Sequence, residues 1–141
     1  MTASIPTDTN APAGQGALPI DECPMVGSWK QCSLEKRLEQ SGLVPVLLPA
    51  DDHEPVTAVP ALVYRLGSAE LHVWIFADSS ARATEQARLD PGTSQPLGSL
   101  RRWPRPAETI ASNNLLAVLL AENERTTERI RLSLRAGLPP R

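Results

Sequence analysis

Two short runs, ALVYRL and AELHVWIF, are separated only by Gly67-Ser68, and this spacing constrains the fold more than any other feature of the chain. Each run alternates apolar and polar residues, the pattern of a half-buried strand. A two-residue Gly-X link suits a type II′ turn, whose twist matches that of an antiparallel pair. The link length also sets the register: Leu66 faces Ala69, Arg65 faces Glu70, Tyr64 faces Leu71, Val63 faces His72 and Leu62 faces Val73. In that register Leu62, Tyr64, Leu71, Val73 and Ile75 share one side, while Arg65 meets Glu70 on the other. Turn chemistry and side-chain polarity thus select the same hairpin.

Helix and strand signals flank this hairpin. SLEKRLEQSG (33–42) predicts a helix with Ser33 as N-cap, Leu34 and Leu38 on one face and Gly42 as the left-handed stop. LVPVLLP (43–49) predicts a strand, and Pro45 confines it to a sheet edge or to its own first residues. ADSSARATEQARLD predicts a helix capped by Asp78 or Ser79, with Ala81, Thr84 and Ala87 or Arg88 facing inward. PGTSQPLGSLRRWPRP is then a loop longer than about 12 residues, a length often tied to binding. ETIAS and LLAVLLA flank Asn113-Asn114, and asparagine tolerates positive φ well enough to close a second hairpin. NERTTERIRLSLRAGL predicts a last helix, capped by Asn123, with acids at its start and arginines near its end, as the helix dipole favours. Its buried stripe is Thr126 or Thr127, Ile130, Leu134 and Leu138.

The run NLLAVLLA (114–121) is far too short for the ~20 apolar residues of a spanning helix. A continuous helix from Asn114 to Leu138 would put Asn123 and Thr127 in its apolar stripe. A central strand covered on both faces fits better. If the helices supply one cover, the other is either another part of the chain or a partner.

A chain of 141 residues with 41% hydrophobic content suits one domain. The Pro-, Ala- and Gly-rich residues 1–31 read as an extended, flexible N-terminal arm that would order against a partner. Residues 32–141 form the domain. Net charge is −2, which argues against nucleic acid as a partner. The start shows no basic segment followed by an apolar one, so the expectation is cytoplasmic by default, with a place beside a membrane complex or outside the cytoplasm left open. Cys23 and Cys32 are either free thiols or a disulfide. With no histidine nearby they fall short of a zinc site.

Few residues point to chemistry. The cluster DDHE (51–54) could offer oxygens to Ca²⁺, but it lacks the alternation and glycine of a calcium loop and reads as a solvated acidic turn. Glycine-rich phosphate loops, nucleophile elbows and HExxH are all missing from the sequence. Neither a metal, nor a cofactor, nor catalysis is therefore expected. His72, Trp74 and Phe76 fall on the second face of the hairpin and are either core or an interaction surface. Arg101, Arg102, Trp103 and Arg105 interleave arginine with tryptophan and proline, a composition common at interfaces. Trp29 lies in the arm, outside any simple core pattern.

The expected fold is α+β: a mainly antiparallel sheet with helices on one face, in the order α-β-β-β-α-β-β-α. The expected role is a non-catalytic accessory subunit of a larger, membrane-associated or soluble, protein assembly. Its contacts would be the arm with Trp29, the Arg101–Arg105 loop and the His72/Trp74/Phe76 face. The alternative is a free-standing extracytoplasmic module with a small-ligand cleft between sheet and loop, which a Cys23–Cys32 disulfide would favour.

Overall fold

In a computed structural model the described residues are 23–49, 56–98 and 102–140. The expected arm at 1–22, the DDHE cluster and Arg101 lie outside them. The described chain is a mixed α+β fold with three helices and one antiparallel sheet. The order is α1 (Gln31–Gln40), β1 (Val46–Leu47), β2 (Leu62–Leu66), β3 (Ala69–Ile75), α2 (Ser79–Gln86), β4 (Ala107–Ser112), β5 (Leu115–Leu120) and α3 (Glu124–Arg135). In space the five strands run β1-β2-β3-β5-β4. No helix among the described residues is long and apolar enough to cross a membrane.

The first hairpin has the register required by its turn, from Leu66↔Ala69 to Leu62↔Val73. Gly67 supplies the one left-handed residue of the link, at φ +64°. Pro45 precedes a short strand at the sheet edge, as a residue without an N–H must. NLLAVLLA is a strand at the inner position between β3 and β4, and every residue of β5 is buried. Burying leucine or valine contributes ~1.5–3 kcal/mol each, so this strand anchors both faces at once. Leu115, Ala117 and Leu119 enter one core; Leu116, Val118 and Leu120 enter the other.

The first core lies beneath α1 and α3, where Leu34, Leu38, Ile130 and Leu134 meet Tyr64, Leu71, Val73 and Ile110. Asp78 and Asn123 cap α2 and α3 by accepting the amides of Ala81 (2.8 Å) and Thr126 (3.0 Å). Ser33 is not the cap of α1. The helix starts at Gln31 with Lys30 as its N-cap, and the Ser33 hydroxyl instead accepts the Lys30 amide at 2.7 Å from inside the first turn. Gly42, at φ +86°, ends α1, and the Leu43 amide returns to the Leu38 carbonyl at 3.0 Å.

Three features differ from the expectation. Residues 23–30, assigned to the arm, are packed: Trp29 is 1% exposed in the first core, and Cys23 is bonded to Cys32. The helices do not all share one face, because α2 places Ala81 in the second core, opposite α1 and α3. The inward stripe of α2 is also rotated from the expected one: Thr84, Ala87 and Arg88 are exposed, while Glu85 is buried with its carboxylate 3.9 Å from Arg88.

The second core combines Trp74, Phe76, Leu89, Leu116, Val118 and Leu120, with Val56, Val59 and Trp103 packed against it. The cover over this face is the chain itself.

Candidate functional site

Strand alternation puts Glu70, His72 and Trp74 on the second face, and register places Val118 beside His72. The long loop supplies what lies over them. Its first part closes on itself. The Asp90 amide donates to the Gln95 carbonyl (2.7 Å), and the Leu97 amide to that of Arg88 (2.8 Å). The Asp90 carboxylate accepts the amides of Gly92 and Thr93. This small turn carries Ser94, a buried residue at φ +62° whose hydroxyl meets that of Thr109 on β4 at 2.5 Å.

Ser94 in turn positions Trp103. The Trp103 indole N–H donates to the Ser94 carbonyl at 2.6 Å. Its ring stands edge-on to the His72 imidazole, centroids 5.0 Å apart, while the Trp74 ring lies 6.5 Å from His72. Edge-to-face contacts of this kind add ~0.5–1.5 kcal/mol beyond area burial. Two residues on, the Arg105 guanidinium donates to the Ser68 carbonyl at 2.5 Å and lies 3.9 Å from the Glu70 carboxylate. Glu70 is also 3.6 Å from His72 Nε2. The carboxylate therefore sits between an imidazole and a guanidinium. Arg65 is its neighbour across the hairpin, but among the described residues its carboxylate pairs with the Arg105 guanidinium and lies beside the His72 imidazole.

The structure thus joins two features that are far apart in sequence, the aromatic sheet face and the Arg/Trp/Pro loop. Trp74 and Phe76 are core, and the Trp74 indole N–H finds no acceptor among the described residues. His72 is mostly covered, Trp103 and Arg105 are half-buried, and Arg102 is exposed, with one guanidinium N–H on the Gln95 side-chain oxygen at 2.9 Å. Trp29 is remote from this cluster, on the opposite face, with Arg37 stacked over its ring at 5.6 Å. Beside Arg102 a cleft of about 310 Å³ opens between Asp90, Gln95 and Leu97. Among the described residues no group of three or more His, Cys, Asp or Glu is placed to hold a metal ion.

One organising residue was not legible in the sequence. Asn114 reads there as half of a turn. In the structure its amide is 2% exposed and links three segments. Its oxygen accepts the Trp29 amide (2.7 Å), and its nitrogen donates to the carbonyls of Trp29 (3.1 Å) and Phe76 (2.8 Å). The only sequence signal was a polar residue directly abutting the most apolar run.

Comparison with known proteins found no family model, no curated protein and no solved structure that matches this chain.

Proposed function

We propose that this protein is a non-catalytic accessory subunit that docks onto another protein through the Arg102–Arg105 loop. The observation that carries this reading is the way Trp103 is held. Its indole is fixed by Ser94 and His72 yet remains half-exposed, with Arg102 and Arg105 on either side. Tryptophan and arginine on a preorganised support lose little entropy on binding and are the residue types that dominate interface energies. Catalysis fits this cluster poorly, because the sequence offers His72 no adjacent nucleophile. Photo-crosslinking from position 102 of the full chain in its native host, with exposed Leu132 as the control position, tests the reading. One discrete adduct at 102, lost on Trp103→Ala, supports it. Equal labelling at both positions, or none, refutes it.

The Cys23–Cys32 bond favours a second reading, a free-standing extracytoplasmic module. Disulfides persist in oxidising compartments, and the cleft beside Arg102 would take a small anionic ligand. A saturable thermal shift with small carboxylates or phosphate that is lost on Arg102→Ala, without protein adducts, would favour that reading over the first.

A further inference from the structure

The two edges of the sheet present different backbone chemistry. On one side, the Leu48 amide donates to the Val63 carbonyl at 2.8 Å. With Val46↔Arg65 in register, this turns the backbones of Val46 and Leu48 inward. Pro45, Leu47 and Pro49 are left facing out, and two of those three have no N–H to offer. That edge is closed to another strand.

The β4 edge is the reverse. The Phe76 amide donates to the Asn114 carbonyl at 2.9 Å, which turns the even-numbered backbone groups of β5 toward β3. Leu115, Ala117 and Leu119 therefore serve β4, where their partners are Ser112, Ile110 and Glu108. The amides and carbonyls of Ala107, Thr109 and Ala111 point outward, and none has a backbone hydrogen-bond partner among the described residues. Neither proline nor lysine blocks this strand. Pro106, just before it, falls at an inward-facing position and removes no outward donor.

We propose that this edge pairs with the same edge of a second copy of the chain, antiparallel about a two-fold axis at Thr109. Self-pairing is favoured over a foreign strand because the segment AETIA is size-symmetric about that residue. Ala107 of each copy faces Ala111 of the other, and Thr109 faces Thr109, a favourable cross-strand pair. On the opposite face each Glu108 meets Ile110 rather than another carboxylate, and Arg131 already holds the Glu108 carboxylate in a two-pronged ion pair. Three hydrogen-bonded pairs, each exchanging two bonds, join the two five-stranded sheets into one. The operation is closed, as an isologous interface must be. Thr109 touches the Ser94 turn that holds Trp103, but the pairing uses only the outward backbone groups of β4 and does not rest on the Trp103 loop docking anything.

Sedimentation equilibrium over a concentration series, combined with hydrogen exchange at both ends of that series, tests the pairing. A dimer at high concentration is expected, with the amides of Thr109 and Ala111 exchanging at least tenfold more slowly there than in the dilute monomer. The Ile110 amide, bonded within the chain, should not change. Ala111→Pro, which removes one outward donor, should raise the dissociation constant at least tenfold, and Leu47→Lys on the closed edge should leave it unaltered. A chain that stays monomeric throughout, or a dimer whose Thr109 and Ala111 amides exchange as in the monomer, overturns the proposal. The exchange measurement uses the unaltered chain and so decides the matter even if Ala111→Pro does not fold.

Discussion

Replacing Asn114 with alanine removes an amide that bonds to both the N–H and the C=O of Trp29 and to the C=O of Phe76. In effect one side chain acts as a short piece of strand, pairing the segment before α1 with the end of β3. Each such bond contributes ~0.5–1.5 kcal/mol net, and a buried group left unpaired costs ~1–3 kcal/mol. Asn114 and Trp29 are almost wholly buried, so water has poor access to the orphaned groups. The expected loss is about 2–4 kcal/mol, a large part of the ~5–15 kcal/mol stability of a domain this size. In urea, with a slope near 2 kcal/mol per molar, the midpoint should fall by about 1–2 M. Asn114→Asp discriminates further. Its carboxylate can still accept the Trp29 amide but faces two carbonyl oxygens, and burial adds to the cost of its charge, so its folded pKa is raised. The destabilisation should therefore be smallest below the unfolded value of about 3.9 and grow as pH rises toward the folded one. Asn113→Gly, at a left-handed residue (φ +51°) of the same turn, should be near neutral. If Asn114→Ala shifts the midpoint no more than Asn113→Gly does, Asn114 does not staple these segments.

Tyr64 is the single tyrosine of the chain, and burial, reinforced by its 2.7 Å bond to the Glu35 carboxylate, pushes its phenol well above the usual range. The stability this contributes is fully present below the unfolded pKa of about 10 and is lost as pH rises beyond it. Absorbance titration at 295 nm should thus show ionisation only together with alkaline unfolding, and Tyr64→Phe should move that unfolding to higher pH. Glu108 shows the opposite sign: its hydrogen bonds to Arg131 hold its carboxyl below the ordinary value. That contribution is present above the unfolded pKa near 4.3 and is lost as pH falls through the folded one, so Glu108→Gln should flatten the acid limb of a stability–pH curve. Replacing both cysteines with serine opens a loop of sequence separation 9 and should cost about 2–3 kcal/mol, read as a lower urea midpoint that a reducing agent reproduces in the unaltered chain. Trp103→Ala should cost about 2–4 kcal/mol by thermal or urea unfolding, since it empties a half-buried site on the second core; a loss below about 0.5 kcal/mol would mean that the loop does not hold this face closed.

Local signals account for a definite part of the molecule. The Gly67-Ser68 link, two residues long, allows one antiparallel register. Alternation then decides which of Tyr64, Leu71, Val73 and which of Glu70, His72, Trp74 face together. Pro45 places β1 at an edge for want of an N–H, and Asp78 and Asn123 cap helices through bonds three residues away. All of these are fixed by groups within a few residues of one another.

What covers the second face could not be read that way. The sequence identifies His72, Trp74 and Phe76 as a surface needing cover. Whether the cover is a partner or the chain depends on where a long loop comes to rest, and that is set by contacts outside any one element: Trp103 on Ser94 and His72, Ser94 on Thr109. The same holds for Trp29, whose place in the core follows from Asn114, 85 residues away. Periodicity reports which side of an element is apolar, because that is a property of the element alone. It does not report which distant segment arrives there, because that choice is made by loop closure and by the need to pair buried amides and carbonyls. So NLLAVLLA is fixed as a doubly covered strand by its own residues, and only the tertiary structure shows that both covers belong to this chain.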